Sequence, residues 1–338
     1  MSVFLLTSPW EDIEEYADIK RKWLKEYLPL KNGIPSADTL RRVFERIKPT
    51  ELEEAYRQWV LPYVGGCLQK QISIDGKTIR GASNKRGTKS KLHIVSAWVH
   101  EDGISLGQIK TDEKSNEITA IPQLLNTLDI KGSTVTIDAM GCQKAIAKEI
   151  VKQEANYILA VKKNQPTLYE EVETYFEWAV HDETEQKNIE VYSKLEKDRG
   201  KICYRRVTAT TDIVWFESKD EWPCLRTMIM LERKTAGKDT VTEEKQYFIS
   251  SMQTSAEEYC RLIRGHWSIE NQLHWVLDVT FHEDQSLIHH DNSPENISLI
   301  RKIGMALLKK NTRNSSLRRK KKIAGWDNDF LASLFDEL

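Results

Sequence analysis

No apolar run in this 338-residue sequence approaches the roughly 18 residues that a membrane span needs. Near the start the longest is Val3 to Leu6, and no basic leader precedes it. Neither a spanning nor an exported protein is expected, and the chain reads as soluble and cytoplasmic. Cysteine is scarce: five residues, at 67, 142, 203, 224 and 260, with no CxxC pair. That excludes a disulfide framework and a zinc ribbon, and it fits a reducing compartment. An excess of either charge is missing too, since 50 Lys and Arg stand against 51 Asp and Glu. Any nucleic-acid footprint must then be local. Internal repeats are absent. What is present is bulk: with 40% hydrophobic residues the chain can bury a core sufficient for two or three domains.

From Trp10 to Leu28 apolar residues recur at helical spacing, which predicts one amphipathic helix closed by Pro29, Asn32 and Gly33. Ser36 is placed to cap a second helix, ADTLRRVFERI, and a third, LEEAYRQWV, follows Lys48-Pro49-Thr50. The second carries Arg41, Arg42 and Arg46, which suit a solvated helix face and a helix-turn-helix-like DNA reader equally. At Gln71 the period falls to two. QISIDGK, HIVSAWV and ISLGQIK read as strands, with Ile72 and Ile74 on one face and Ser73 and Asp75 on the other. A helix from Ile118 to Leu128, the strand STVTIDA, a helix from Gln143 to Gln153 and the apolar strand YILAV give the order β-β-β-α-β-α-β. Thr167 to Val180 reads as a helix, Asn188 to Ser251 as an inserted strand-rich stretch, and Ala256 to Trp275 as helix again. The end is basic, from Lys309 to Lys322.

Asp75 and Asp138 each close a predicted strand, with a glycine one or three residues on. Side by side they would repel and raise each other's pKa, which invites a divalent cation; two such ions can clamp the attacking and leaving oxygens of a phosphodiester. An Asp beside Gly is also simply a turn former. The helix RGHWSIENQLHW sets His266 and His274 four residues either side of Glu270, a conceivable zinc stripe that lacks the HExxH spacing. Its competing reading is a helix whose tryptophans pack into the core.

IDGKTIRGA, TDEKSNEITAIPQLLN, TIDAMGCQKAIA, YILAVKKNQP, RGHWSIENQLHWVLDVTFHEDQS and NSPENISLIRKIGMALLKK, in this order, resemble the insertion-sequence DDE transposases of the H-repeat-associated (Rhs-element-linked) group. The likeness extends to the helical front segment and to LRRKKKIAGWDNDFLASL. It implies an α/β fold: an RNase H-like core, a mixed sheet flanked by helices, over 69–310. A β-rich insertion at about 185–252, an N-terminal helical, DNA-binding domain over 1–68 and a basic tail over 311–338 complete the expected organisation. The implied triad is Asp75, Asp138 and Glu270, holding two Mg²⁺ or Mn²⁺ for strand cleavage and strand transfer at the ends of a mobile element. The expected partners are double-stranded DNA and, on synapsis, further copies of the chain. His266 and Asn271 would orient Glu270 or touch the scissile phosphate. Lys77 and Arg80, just past the first Asp, and Lys162, Asn164 and Gln165 at the end of the apolar strand are expected at the DNA backbone, as are Arg41 and Arg42 on the front helix. The basic tail is expected to be structured and to touch DNA. A catalytically silent remnant that only binds DNA, and a nuclease on the same fold, are the alternative readings.

Overall fold

The computed structural model describes residues 9–82, 92–111, 116–198, 201–237 and 240–336. The first expected helix is two, α1 (Trp10–Ile19) and α2 (Arg21–Tyr27), broken at Lys20. The break has a packing cause. Ile13 of α1 is buried with Ile288 and Ile297, whereas Trp23 and Leu24 of α2 are buried in a different cluster with Trp98, Leu273 and Leu331. One straight helix could not serve both. Ser36 caps α3 (Ala37–Arg46) by accepting from Thr39 N at 3.3 Å. Pro49 opens α4 (Pro49–Val64), where its missing N–H costs nothing, and Gly65 closes it at φ +62. Tyr56 and Val60 of α4 enter the main core, and the Tyr56 hydroxyl donates to Ser105 O at 2.6 Å.

Among the described residues nine strands form one mixed sheet: β1 (Gln71–Ile79), β2 (Leu92–Val99), β3 (Ile104–Lys110), β4 (Thr134–Ile137), β5 (Asn156–Val161), β6 (Ile189–Asp198), β7 (Lys201–Thr210), β8 (Thr227–Ala236) and β9 (Val241–Ser250). The spatial order is β3-β2-β1-β4-β5-β9-β8-β7-β6. β1 pairs antiparallel with β2 and parallel with β4, which pairs parallel with β5. Ile72, Ile74, Val135 and Ile137 sit in the core with Leu124 of α5 (Glu117–Leu125) and with Ile146 and Ile150 of α6 (Lys144–Lys152). The alternate residues face α8 (Ala256–His266) instead. There Thr136 Oγ1 lies 3.2 Å from Ser73 Oγ, and Gln71 Nε2 donates to Leu262 O at 2.7 Å. That approach is close because Gly265 carries no side chain: a Cβ there would lie 2.2 Å from Gln71 Oε1. After β5 the chain forms α7 (Pro166–Ala179) and then a four-stranded antiparallel meander, β6 to β9. Because β9 pairs with β5, from Ile158↔Ser250 to Val161↔Tyr247, the meander extends the central sheet.

Beyond α9 (Trp275–Val279), α10 (Ser293–Lys310) leads to α11 (Leu317–Trp326) and α12 (Asn328–Asp336). Ala324, Leu331 and Leu334 of the last two helices close over Trp23, Leu277, Phe281 and Leu308. The basic run is split by this packing. Lys320 is buried and donates to Leu308 O and Asn311 O, Lys321 donates to Thr280 O, and Lys309 lies 4.3 Å from the centre of the Trp98 ring. Arg318, Arg319 and Lys322 face solvent. Among the described residues no helix is long and apolar enough to cross a membrane. Leu331→Ala empties a fully buried position in this cluster, and urea unfolding should show a loss of about 2–5 kcal/mol; a loss under about 1 kcal/mol would mean that α12 is not docked there.

Candidate active site

The parallel ladder of β1 and β4 ends at Ile74↔Ile137, so the next residues, Asp75 and Asp138, leave it side by side on the α8 face of the sheet. β1 itself runs on to Ile79, which places Asp75 within a strand rather than at its end. Asp138 directly follows β4 and caps the turn Ala139–Gly141, accepting from Met140 N at 3.0 Å and Gly141 N at 3.4 Å. Burial pushes Asp75 up to about 6, with Asp138 and Glu117 adding to the rise and His274 opposing it. Burial also raises Asp138, again with Glu117 contributing.

Glu270 reaches the same edge from the helical side. Between α8 and α9 the chain winds as a π-helix over Ile269–His274, a form often found where function demands it. His274 Nδ1 lies 3.0 Å from Glu270 Oε2 and 3.4 Å from Asp75 Oδ2. Asp75, Glu270 and His274 each bring a potential ligand atom within 4.8 Å of the others. Asp138 stands beside this group, close enough to raise Asp75. The hydrogen bond from His274 lowers the Glu270 pKa, while its carboxylate stays 57% exposed. The carboxylates of Asp75, Asp138 and Glu270 suit a hard divalent cation, whose charge would relieve the repulsion among the acids.

Several expected residues serve other ends. His266 turns away from Glu270 and puts Nδ1 3.1 Å from Thr136 Oγ1; burial drives its pKa to about 4 and keeps it neutral, so the stripe of His266, Glu270 and His274 does not form a site. Asn164 Nδ2 donates to Ala139 O at 2.6 Å and Gln165 Nε2 to Cys142 O at 2.9 Å; both brace the turn that carries Asp138. Asn271 Nδ2 donates to Trp267 O at 2.8 Å, within its own helix. Lys77 lies inside β1 with its side chain 12% exposed, held by Asp278 at 2.5 Å, Glu283 at 2.8 Å and Asp284 at 3.6 Å, and is not presented to solvent. Arg80 is 86% exposed, with Asp284 Oδ2 3.6 Å from its Nε. Lys162 is exposed and its charge reaches Asp138. Arg41 pairs with Asp38 and Glu45, and Arg42 with Asp38 at 2.7 Å, on the outer side of α3.

Two participants had escaped assignment to this site. His274 is signalled by its i+4 spacing from Glu270, but only as half of a zinc stripe. Glu117 gives no local signal: it opens α5 and sits 2.7 Å from His93 Nε2. Gly76 is why this pair fits, since a Cβ there would lie 2.1 Å from Glu117 Oε1 and 2.5 Å from His93 Nε2. The glycine next to Asp75 thus admits a neighbour and forms no turn. Trp267 and Trp275, which the competing reading buries, are 54% and 57% exposed on either side of Glu270.

Comparisons with known proteins agree with one another. Residues 67–303 match the family model described as transposase DDE domain, and residues 1–60 match its associated model. The chain is 39% identical to "Putative transposase YncI" of Escherichia coli O157:H7, over 93% of this chain and 82% of that protein. It is 38% identical to "H repeat-associated putative transposase YhhI" of Escherichia coli K12, over 96% and 87%. Among solved structures, a piggyBac transposase synaptic complex with hairpin DNA aligns at a TM-score of 0.43 and 10% identity, over 98% of this chain and 71% of that one. That likeness is too loose to bear on the site.

The raised Asp75 has a consequence for stability. With a folded pKa near 6 against an unfolded value of 3.8, the protonated acid favours the folded state, and that contribution is lost as pH climbs through about 4 to 6. In metal-free buffer Asp75→Asn, which cannot ionise, should therefore stabilise the fold at pH 8 by up to about 3 kcal/mol and change little at pH 4. Urea unfolding at the two pH values checks this, and an equal effect at both would contradict it.

Proposed function

The chain belongs to the DDE transposase family, and from that premise we propose that it cleaves DNA at the ends of an insertion sequence and joins the freed strand to a target. Asp75, Asp138 and Glu270 form the catalytic triad of this reading. The observation that carries it is the meeting of Asp75, where the β1–β4 ladder ends, and Asp138, just past β4, with a glutamate from 132 residues beyond the second of them. The order β3-β2-β1-β4-β5, with the first two pairings antiparallel and the next two parallel, supports an RNase H-like core.

Asp75 and Glu270 would hold one divalent cation, Mg²⁺ or Mn²⁺, and Asp75 with Asp138 a second, with His274 beside the first. Such ions make a water or a DNA 3′ hydroxyl a competent nucleophile and offset charge on the departing oxygen. The chain's own groups set the stage. His274 holds the Glu270 carboxylate toward Asp75, Asn164 and Gln165 keep the Asp138 turn in shape, and Glu117 braced on His93 closes the side next to Gly76. The exposed rings of Trp267 and Trp275 suit stacking on nucleobases, and Lys162 and Arg80 suit phosphates beside the carboxylates. In the same reading residues 1–68 bind DNA through a surface that includes Arg41 and Arg42, residues 69–310 carry the chemistry, and 311–338 close the molecule. Synapsis of two ends calls for at least two copies, acting on chromosomal DNA in the cytoplasm.

On DNA carrying the element's flanking sequence, cleavage should require Mg²⁺ or Mn²⁺ and stop on chelation. Asp138→Asn and Glu270→Gln should each lower it by more than about 100-fold, since even outer partners of metal ligands are worth 10–100-fold, while DNA binding in chelator persists. Binding without cleavage in the folded protein would make it an inactive remnant, and cleavage without joining or end preference a nuclease. Neutralising Lys162 and Arg80 together should weaken binding to all sequences alike and reduce the slope of log affinity against log salt by about 2; an unchanged slope would remove both from the interface.

A further inference from the structure

Lys77 follows Asp75 by two residues on β1, so both side chains lie on the same face of the strand. Asp278 follows His274 by four residues on the facing helix. Two adjacent rungs therefore join strand to helix: Asp75 to His274 at 3.4 Å and Lys77 to Asp278 at 2.5 Å. The second rung is anchored from beneath. Glu283, 1% exposed, lies 2.8 Å from the Lys77 ammonium and accepts from Ser298 Oγ at 2.9 Å, with Arg301 4.0 Å away. Burial pushes the Glu283 pKa up, but the charges of Lys77, Arg301 and Lys302 outweigh it and keep the group ionised.

Such a cluster is a poor device for stability alone, because desolvating each ion costs several kcal/mol and apolar residues can fill the same space about as well. It does fix geometry. β1 is held by hydrogen-bonded strands on both sides. The segment it faces is π-wound, and His274 Nε2 is buried without a hydrogen-bond partner among the described residues, so no hydrogen bond fixes that side of the ring. The position of the imidazole follows from the position of its helix.

We propose that Lys77 is a positioning residue: anchored on Glu283 and gripping Asp278, it sets the helix carrying Glu270 and His274 in register with the strand carrying Asp75, and so fixes the span of the cation site. This rests on the metal-dependent reading above. It also replaces the contact with the DNA backbone expected of this lysine.

The test uses the full chain with Asp278→Asn, which breaks the rung at its more exposed end, together with Lys77→Met and Lys77→Arg. Three quantities are read: Mn²⁺ affinity by electron paramagnetic resonance, the ¹⁵N signal of His274 Nδ1 in metal-free protein, and DNA affinity in chelator with its salt slope. Asp278→Asn and Lys77→Met should weaken Mn²⁺ binding by about 10- to 100-fold and move the His274 signal, with DNA affinity and slope unchanged, and Lys77→Arg should restore part of the loss. If Lys77→Met does not fold, Asp278→Asn decides. A folded Asp278→Asn protein with unmoved His274 signal and unchanged Mn²⁺ affinity overturns the proposal, since simple stabilisation would lower only the unfolding midpoint. A loss of DNA affinity and slope in Lys77→Met, with His274 unmoved, overturns it in favour of a phosphate contact. If the unaltered chain binds no Mn²⁺, the metal reading fails, and the His274 signal still decides the question of register.

Discussion

Asp75 and Asp138 are pressed together because β1 and β4 run parallel up to Ile74 and Ile137 and then part. The backbone hydrogen bonds and the apolar residues of that ladder hold in place two carboxylates that, left to themselves, would move apart. Burial raises both acids, Glu117 adds to the rise in each, and Asp138 adds to that of Asp75. Two neighbouring features ease that tension, the turn whose amides donate to Asp138 and the imidazole set against Asp75, while the glycine that admits Glu117 beside its histidine adds to it. Strain of this kind belongs at a functional site, where stability is given up for a poised charge distribution.

The alternation in QISIDGK and STVTIDA made the faces legible: Ile72, Ile74, Val135 and Ile137 pointed to one side and both aspartates to the other, as in the structure. The cap at Ser36 was legible for the same local reason. Long-range choices were not. His266 and His274 flank Glu270 symmetrically in sequence, and only the π-wound segment and the Thr136 hydroxyl behind α8 decide which imidazole turns toward the carboxylates. Lys77 beside an Asp-Gly pair resembles a solvated turn until Glu283, 206 residues later, is folded beneath it. The strand pattern of residues 188–251 announced strands but could not announce that β9 would find β5. Glu270 stood out locally only as the centre of a possible zinc stripe, and its place beside the two aspartates came by resemblance, since a carboxylate on an amphipathic helix carries no mark of its partners.

The polar and ionic contacts around the site form a chain that crosses several elements. Glu53 of α4 accepts from Gln108 N, Lys302 of α10 reaches Gln108 and Ser96, and Glu283 joins α10 to β1 through Ser298 and Lys77. In a hydrophobic interior each such link is directional, so elements far apart in sequence are fixed in angle as well as in distance. α4, α10 and the strands β1 to β3 are thereby tied together beside the candidate site.

The docking of α11 and α12 over Trp23 and Leu24 also orders events in time. A chain emerging from the ribosome presents α2 roughly 300 residues before the side chains that cover its apolar face, Leu331 and Leu334. Until then that face must stay exposed or be sheltered by other means, and chains released early would keep it so. This part of the core can close only after α12 has left the ribosome.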